Sequence, residues 1–110
     1  MLRRHNRLLV AIYVVFGSDD EARTIGRAMV TQRLAACVNI LGPCHSIYRW
    51  QGAVEEAEEV AAIFKTALAK AEALMAAIHS AHSYDVPAIV QLTIAASHAD
   101  YRDWVSAETR

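Results

Sequence analysis

Residues 33–52 read RLAACVNILGPCHSIYRWQG, and this stretch decides the fold. Two β-rich runs, 36–41 and 46–50, flank a Gly42-Pro43 break, and Ile47-Tyr48-Arg49-Trp50 then leads into Gln51-Gly52. In the first run Cys37, Asn39 and Leu41 alternate with Val38 and Ile40, which places the two sets on opposite faces of a strand. Pro43 has no amide hydrogen, so the pairing ladder must bend, bulge or stop there. Gln51-Gly52 reads as a hairpin turn that returns the chain along the strand it has just left.

Toward the amino end, residues 8–16 form an apolar run rich in Val and Ile, which suits a buried first strand. With the basic residues before it, the run imitates a secretion signal. However, Gly17-Ser18-Asp19-Asp20 lacks a small-x-small cleavage site, and the run is too short to span a bilayer. Ser18 followed by Glu21 matches a capping box, and Ala22, Ile25, Met29 and Leu34 recur at helical spacing. A helix over about 19–34 is predicted.

Toward the carboxyl end, residues 54–81 are ambiguous. Their Ala, Glu and Lys content favours one long helix, while the turn at Gln51-Gly52 favours a strand first. In the strand reading, Thr66 caps a later helix with the stripe Leu68, Ala71, Leu74 and Ile78. Glu55, Glu56, Glu58 and Glu59 then lie on both faces of a protruding ribbon, where they must be solvated or paired. A loop follows over 79–87, then an alternating strand over about 88–95. Ser97 with Asp100 caps a last helix whose Tyr101, Trp104 and Val105 lie against the sheet. With the strand reading the order is βαββαβ plus a C-terminal helix. That is an α+β, ferredoxin-like sandwich with a long central hairpin, an antiparallel sheet and helices on one face.

The 110 residues are read as a single domain, 1–110, with a core over about 8–106 and a basic tail over 1–7 containing Arg3, Arg4 and Arg7. Hydrophobic residues make up 55% of the chain and the net charge is −1, which gives no global argument for nucleic acid or an anionic membrane. Cys37 and Cys44 cannot make a framework of several bridges and do not have CxxC spacing. Two free thiols in a reducing cytoplasm is the plain reading; pairing, or a shared soft metal, is the other. No nucleophile–base pair, phosphate-cradling glycine loop or hydrolase carboxylate pair is recognisable, so the chain is read as no enzyme.

RLAACVNIL (33–41), SIYRWQG (46–52), VEEAEEV (54–60), Lys65-Thr66, HSYDVP (82–87) and Tyr101-Arg102-Asp103-Trp104 together resemble the CutA family of divalent-cation tolerance proteins. The resemblance runs from about Leu8 to Val105 in one order. It implies a homotrimer of ferredoxin-like subunits whose hairpins reach neighbouring copies, and it makes residues 53–65 a strand. Closed pairing of that kind would remove exposed strand edges. Three departures stand out. The usual loop His-Pro-Tyr-Glu-Val-Pro has Ser83 and Asp85 here, the usual Pro-Gly is Gly42-Pro43, and Ala53 replaces a common lysine.

The resemblance implies a role in divalent-cation tolerance. The chemistry it suggests is weak binding of copper or another divalent cation by Cys37 and His82, with no obligatory cofactor. Thiolate and imidazole suit such ions, although no HExxH or CxxC spacing is present. In the competing reading Cys37 packs in the core, His79 is exposed and His82 fixes its loop by hydrogen bonds. The resemblance also implies that Cys37, Trp50, Glu59, Lys65, His82 and Tyr84 cluster near a subunit boundary. There they would form either a small-molecule cleft or an ion pair of Glu59 with Lys65 beside the aromatics. The alternative function is a trimeric sensor or signalling module that reports to a protein partner.

Overall fold

The computed structural model describes residues 8–110, so the tail bearing Arg3, Arg4 and Arg7 lies outside the described residues. The elements are β1 (Leu9–Phe16), α1 (Asp19–Thr31), β2 (Cys37–Trp50) and β3 (Ala53–Ala67). A 3-10 turn (Leu68–Lys70), α2 (Ala71–Ala81), β4 (Ile89–Thr93) and α3 (Ala99–Glu108) follow. The strands form one antiparallel sheet in the order β2-β3-β1-β4, which is the ferredoxin-like arrangement. Residues 54–81 are therefore a strand followed by a helix.

One face of the sheet carries the core. Val10, Ile12, Val14 and Phe16 of β1 and Val60, Ala62 and Phe64 of β3 meet Ala22, Ile25 and Met29 of α1 and Leu74 and Ile78 of α2. Val38 and Ile40 of β2 pack on the same cluster, as their alternation predicts. Among the described residues, the opposite face, with Ala11 and Ala61 buried and Tyr13, Val15 and Ile63 half-buried, has a helix over it only at one corner. There Val105 of α3 packs on Leu9 and Ala36. Val105 is fully buried, whereas Tyr101 and Trp104 stay 36% and 43% exposed.

β2 does not stop at Gly42-Pro43; it bulges. Ile40 pairs with Ala62 and Gly42 with Ala61, which leaves Leu41 as the extra residue, 59% exposed. Gly42 sits at φ 99°, a conformation that side chains rarely tolerate. Because side chains alternate, the inserted residue exchanges the two faces of β2 beyond it. Gln51 and Gly52 both have positive φ, as a type I′ hairpin turn requires.

β1 pairs with β3 only as far as Phe16–Val60, so the hairpin beyond that pair stands alone. Its seven remaining pairs, Cys44–Glu59 through Trp50–Ala53, form a two-stranded arm about 23 Å long. The arm makes the molecule 50 × 25 × 22 Å.

Several sequence expectations need correction at helix ends, among them the loop over 79–87, because α2 carries His79 and Ser80 and runs to Ala81. α1 stops at Thr31, short of Leu34. Arg33 turns into the left-handed region at φ 61°, and Leu34 N–H and Arg33 N–H bond back to Met29 O and Val30 O. That pattern closes the helix and carries Leu34 onto the core. Thr66 caps no helix: it belongs to β3, and its hydroxyl donates to Leu34 O at 2.7 Å. The cap of α3 is His98, whose Nδ1 accepts from Asp100 N–H at 3.2 Å, while Ser97 Oγ donates to His98 O.

Candidate functional site

α2 ends at Ala81, and His82 leaves it with an extended backbone, φ −71° and ψ 142°. This turns the His82 side chain inward, where it is fully buried and stacks on Phe16 with ring centroids 5.1 Å apart and planes within 8°. Nε2 lies 2.8 Å from Val15 O, and Nδ1 accepts from Tyr84 N–H at 3.1 Å. A carbonyl can only accept and an amide N–H can only donate, so Nε2 is the donor and Nδ1 the acceptor in this pose. Nδ1 also approaches Glu21 Oε2 at 4.0 Å.

Tyr84 next crosses the open end of β1. Its ring lies 4.8 Å from that of His82, and its hydroxyl donates to Glu59 Oε2 at 2.7 Å. Burial first, then the Glu59 carboxylate, pushes the phenol well above the ordinary tyrosine value. Glu59 stands on the uncovered face opposite Cys44, at the root of the arm.

The loop is fixed from the other side by Glu21 in the first turn of α1. Its Oε2 accepts from Ser83 N–H at 2.8 Å, and its Oε1 accepts from Ser83 Oγ at 3.1 Å and Gly17 N–H at 3.3 Å. Burial alone would raise this carboxyl, but the bonds from Ser83 and Gly17 outweigh it and hold Glu21 below the usual carboxylate value. Sequence reading treated Glu21 only as a capping residue and Ser83 only as a missing proline. A polar residue where a loop usually has proline is the signal that a partner should be sought.

The other candidate residues lie elsewhere. Cys37 pairs with Lys65, which pairs with Ala11, four residues along β1 from the Val15 carbonyl that holds His82. Cys37 and His82 are thus at opposite ends of the sheet body, separated by about 13 Å along the strand direction alone. Cys37 Sγ lies 3.4 Å from the Tyr101 hydroxyl, whose pKa burial and this thiol push up to about 12. Lys65 donates to Asn39 Oδ1. It is six residues along β3 from Glu59, about 20 Å, so no Glu59–Lys65 ion pair forms within the chain. Trp50 is at the tip of the arm, 42% exposed. His79 is exposed on the last turn of α2 and does not converge with His82. Cys37 and Cys44 are both free thiols, seven residues apart along one strand, too far to bridge. Among the described residues no group of three or more His, Cys, Asp or Glu side chains is placed to hold a metal ion.

A second polar cluster lies on the arm, where His45 stands between two carboxylates. Its Nε2 is 2.6 Å from Glu56 Oε1 and its Nδ1 is 2.6 Å from Glu58 Oε1. The Glu56 and Glu58 contacts raise the imidazole above its ordinary value.

This fold and these segments match known proteins along nearly the whole chain. The family profile described as CutA1 divalent ion tolerance protein covers residues 10–108. A divalent-cation tolerance protein CutA of Thermus thermophilus is 42% identical over 98 residues, which are 89% of this chain and 95% of that one. The human protein CutA is 36% identical over 99 residues, and the match spans only 55% of its length. Among solved structures, CutA1 of Thermus thermophilus superposes with TM-score 0.90 at 40% identity, covering 94% of this chain and all of that one. The periplasmic divalent cation tolerance protein CutA of Archaeoglobus fulgidus gives TM-score 0.90 at 32% identity, with 94% and 100% covered. The bulged hairpin, the sheet order and the His82–Tyr84 loop thus sit on a shared scaffold, and the chain belongs to the CutA1 divalent ion tolerance family.

Proposed function

We propose that the chain acts in divalent-cation tolerance as a non-enzymatic homotrimer in the cytoplasm, binding copper or another divalent cation weakly through Cys37 and His82. The observation that carries the assembly is the uncovered sheet face. Tyr13, Val15 and Ile63 lie on it half-buried, flanked by Val90 and Leu92 at 47% and 44% exposure. An apolar face of this kind, next to an arm with unpaired edges, suits burial against further copies. Because Cys37 and His82 are far apart in one chain, a shared ion would be held between copies. Binding through His82 would also break its bond to Val15 O or to Tyr84 N–H, which favours low affinity. The free thiols support a reducing compartment. No described helix is long and apolar enough to cross a membrane.

A second reading is a trimeric sensor whose inter-subunit clefts hold a small molecule and report to a protein partner. The Tyr84–Glu59 bond favours it, since both groups stand on the uncovered face. Trp50 and Lys65 would join them from other parts of the assembly. Titration of metal-free protein with Cu(II), Cu(I) and Zn(II), repeated with Cys37→Ser and His82→Ala, separates the readings. Weaker binding in both variants is expected; unchanged affinity removes these two ligands, and no binding at all favours the sensor. Light scattering on the same samples checks the threefold mass.

A further inference from the structure

We infer that Glu21 is a positioning residue: its carboxylate, bound by the Ser83 amide and hydroxyl, latches the 82–84 loop in the conformation that a proline at position 83 would impose. Three observations carry this. First, Ser83 N–H makes no main-chain bond; its partner is Glu21 Oε2 at 2.8 Å. A proline, which has no N–H, would therefore forfeit only this one bond. Second, His82 has φ −71° and ψ 142°, the region to which a residue before proline is restricted. His82 thus already has the backbone that a following proline demands, without the ring that enforces it. Third, Glu21 is anchored independently of the loop. It lies in the first turn of α1, its own N–H bonds Ser18 Oγ at 3.1 Å, and its Oε1 also takes Gly17 N–H.

The latch bears on the site directly. Ser83 lies between His82, whose Nδ1 takes Tyr84 N–H, and Tyr84, whose hydroxyl reaches Glu59. If residue 83 is released, the two side chains on either side lose their common frame. The bonds also differ in kind from a proline ring: they hold the loop through a side chain of another element, so one substitution in α1 can release it.

The test is a rescue experiment on the full chain, and it needs no metal. Hydrogen exchange at the Tyr84 amide is measured in four proteins. These are the unmodified protein, Glu21→Ala, Ser83→Pro, and the double variant. Glu21→Ala is expected to speed Tyr84 amide exchange at least tenfold. Adding Ser83→Pro to it is expected to bring exchange back within about twofold of the unmodified protein. The helix cap is equally damaged in both Glu21 variants, so a merely structural loss would not be rescued. Unchanged exchange in Glu21→Ala overturns the latch, and so does a double variant as fast as the single one. Should Glu21→Ala not fold, Ser83→Gly replaces it, removing the hydroxyl and freeing the backbone; exchange equal to the unmodified protein would again overturn the inference.

Discussion

In the half of the β2–β3 hairpin that lies within the sheet, Val38, Ile40, Val60, Ala62 and Phe64 face the helices and belong to the core. In the arm, the positions that continue that face are His45, Ile47, Arg49, Val54, Glu56 and Glu58, with no helix beneath them. The two halves share their strands and differ in what supports them. In the body, buried area holds the ladder. In the arm, backbone pairing and the ion contacts of His45 do so, and an isolated two-stranded ribbon is marginal in water. Ile47 and Val54, 65% and 63% exposed, are apolar groups that the single chain leaves uncovered.

The largest effect that can break this comparison comes from truncating one residue in each half. Phe64→Ala removes a fully buried ring and is expected to cost about 3–5 kcal/mol in chemical denaturation. Val54→Ala should fall within about 0.5 kcal/mol if the arm is solvated. A larger loss that depends on protein concentration would show that a second copy covers the arm, since stability then follows mass action. The contrast between the halves would in that case belong to the isolated chain alone.

The same contrast governs how much could be read from residue types. The body half was legible because Val38 and Ile40 alternate against Cys37 and Asn39, and burial follows that pattern. The arm half was not, because VEEAEEV has helix-favouring composition and no core to impose a period of two. It becomes a strand through the turn at Gln51-Gly52 and its partner strand, which are tertiary facts. The bulge at Leu41 was legible as a disturbance at Pro43, but its position was not. One residue either way would decide whether Tyr48 and Trp50 share a face with Cys37 or with His45. At the site, Tyr84, Glu59 and His82 do come together. The Cys37 and Lys65 ends do not, because sequence proximity to a motif says nothing about which end of a strand a residue occupies.

Glycine substitutions sharpen the comparison next, because they probe backbone alone. A Cβ at Gly42 in the body or at Gly52 at the arm tip would meet nothing within 4 Å, yet both residues have strongly positive φ. Alanine at either is expected to cost about 1–2 kcal/mol from conformation alone. If the arm is only loosely held, Gly52→Ala should cost less than Gly42→Ala, because a frayed turn can relax. Equal losses in thermal unfolding would show that the arm is as firmly registered as the sheet.

Acid acts next, and on the body. Glu21 titrates below its ordinary value of 4.5 because Ser83 and Gly17 donate to its ionised form more than burial opposes it. A depressed carboxyl contributes stability that is present above the unfolded value and is lost as pH falls through the folded one. His82, which faces Glu21 from the loop, acts on it in the same direction as the Ser83 and Gly17 bonds and does not reverse the sign. Stability against pH should therefore decline from about 4.5 downward, and Glu21→Gln should flatten that limb. A limb unchanged by the substitution would place the acid-sensitive group elsewhere.

The smallest expected effect is on the arm, and it has the opposite sign. His45 is raised because Glu56 and then Glu58 bond its ring, one at each nitrogen, which requires a proton on both. A raised imidazole contributes most below its unfolded value and loses that contribution as pH rises through the folded one. The groups are exposed, so salt should weaken the effect strongly, unlike the partly buried Glu21. In a proton NMR titration, His45 should titrate above an ordinary imidazole at low salt. Glu56→Gln should move it part of the way back and 0.5 M salt (about a 4 Å screening length) most of the way. Insensitivity to both would mean that the arm's charged face is shielded from solvent, and the division of the hairpin into a packed half and a solvated half would fail at its most exposed residue.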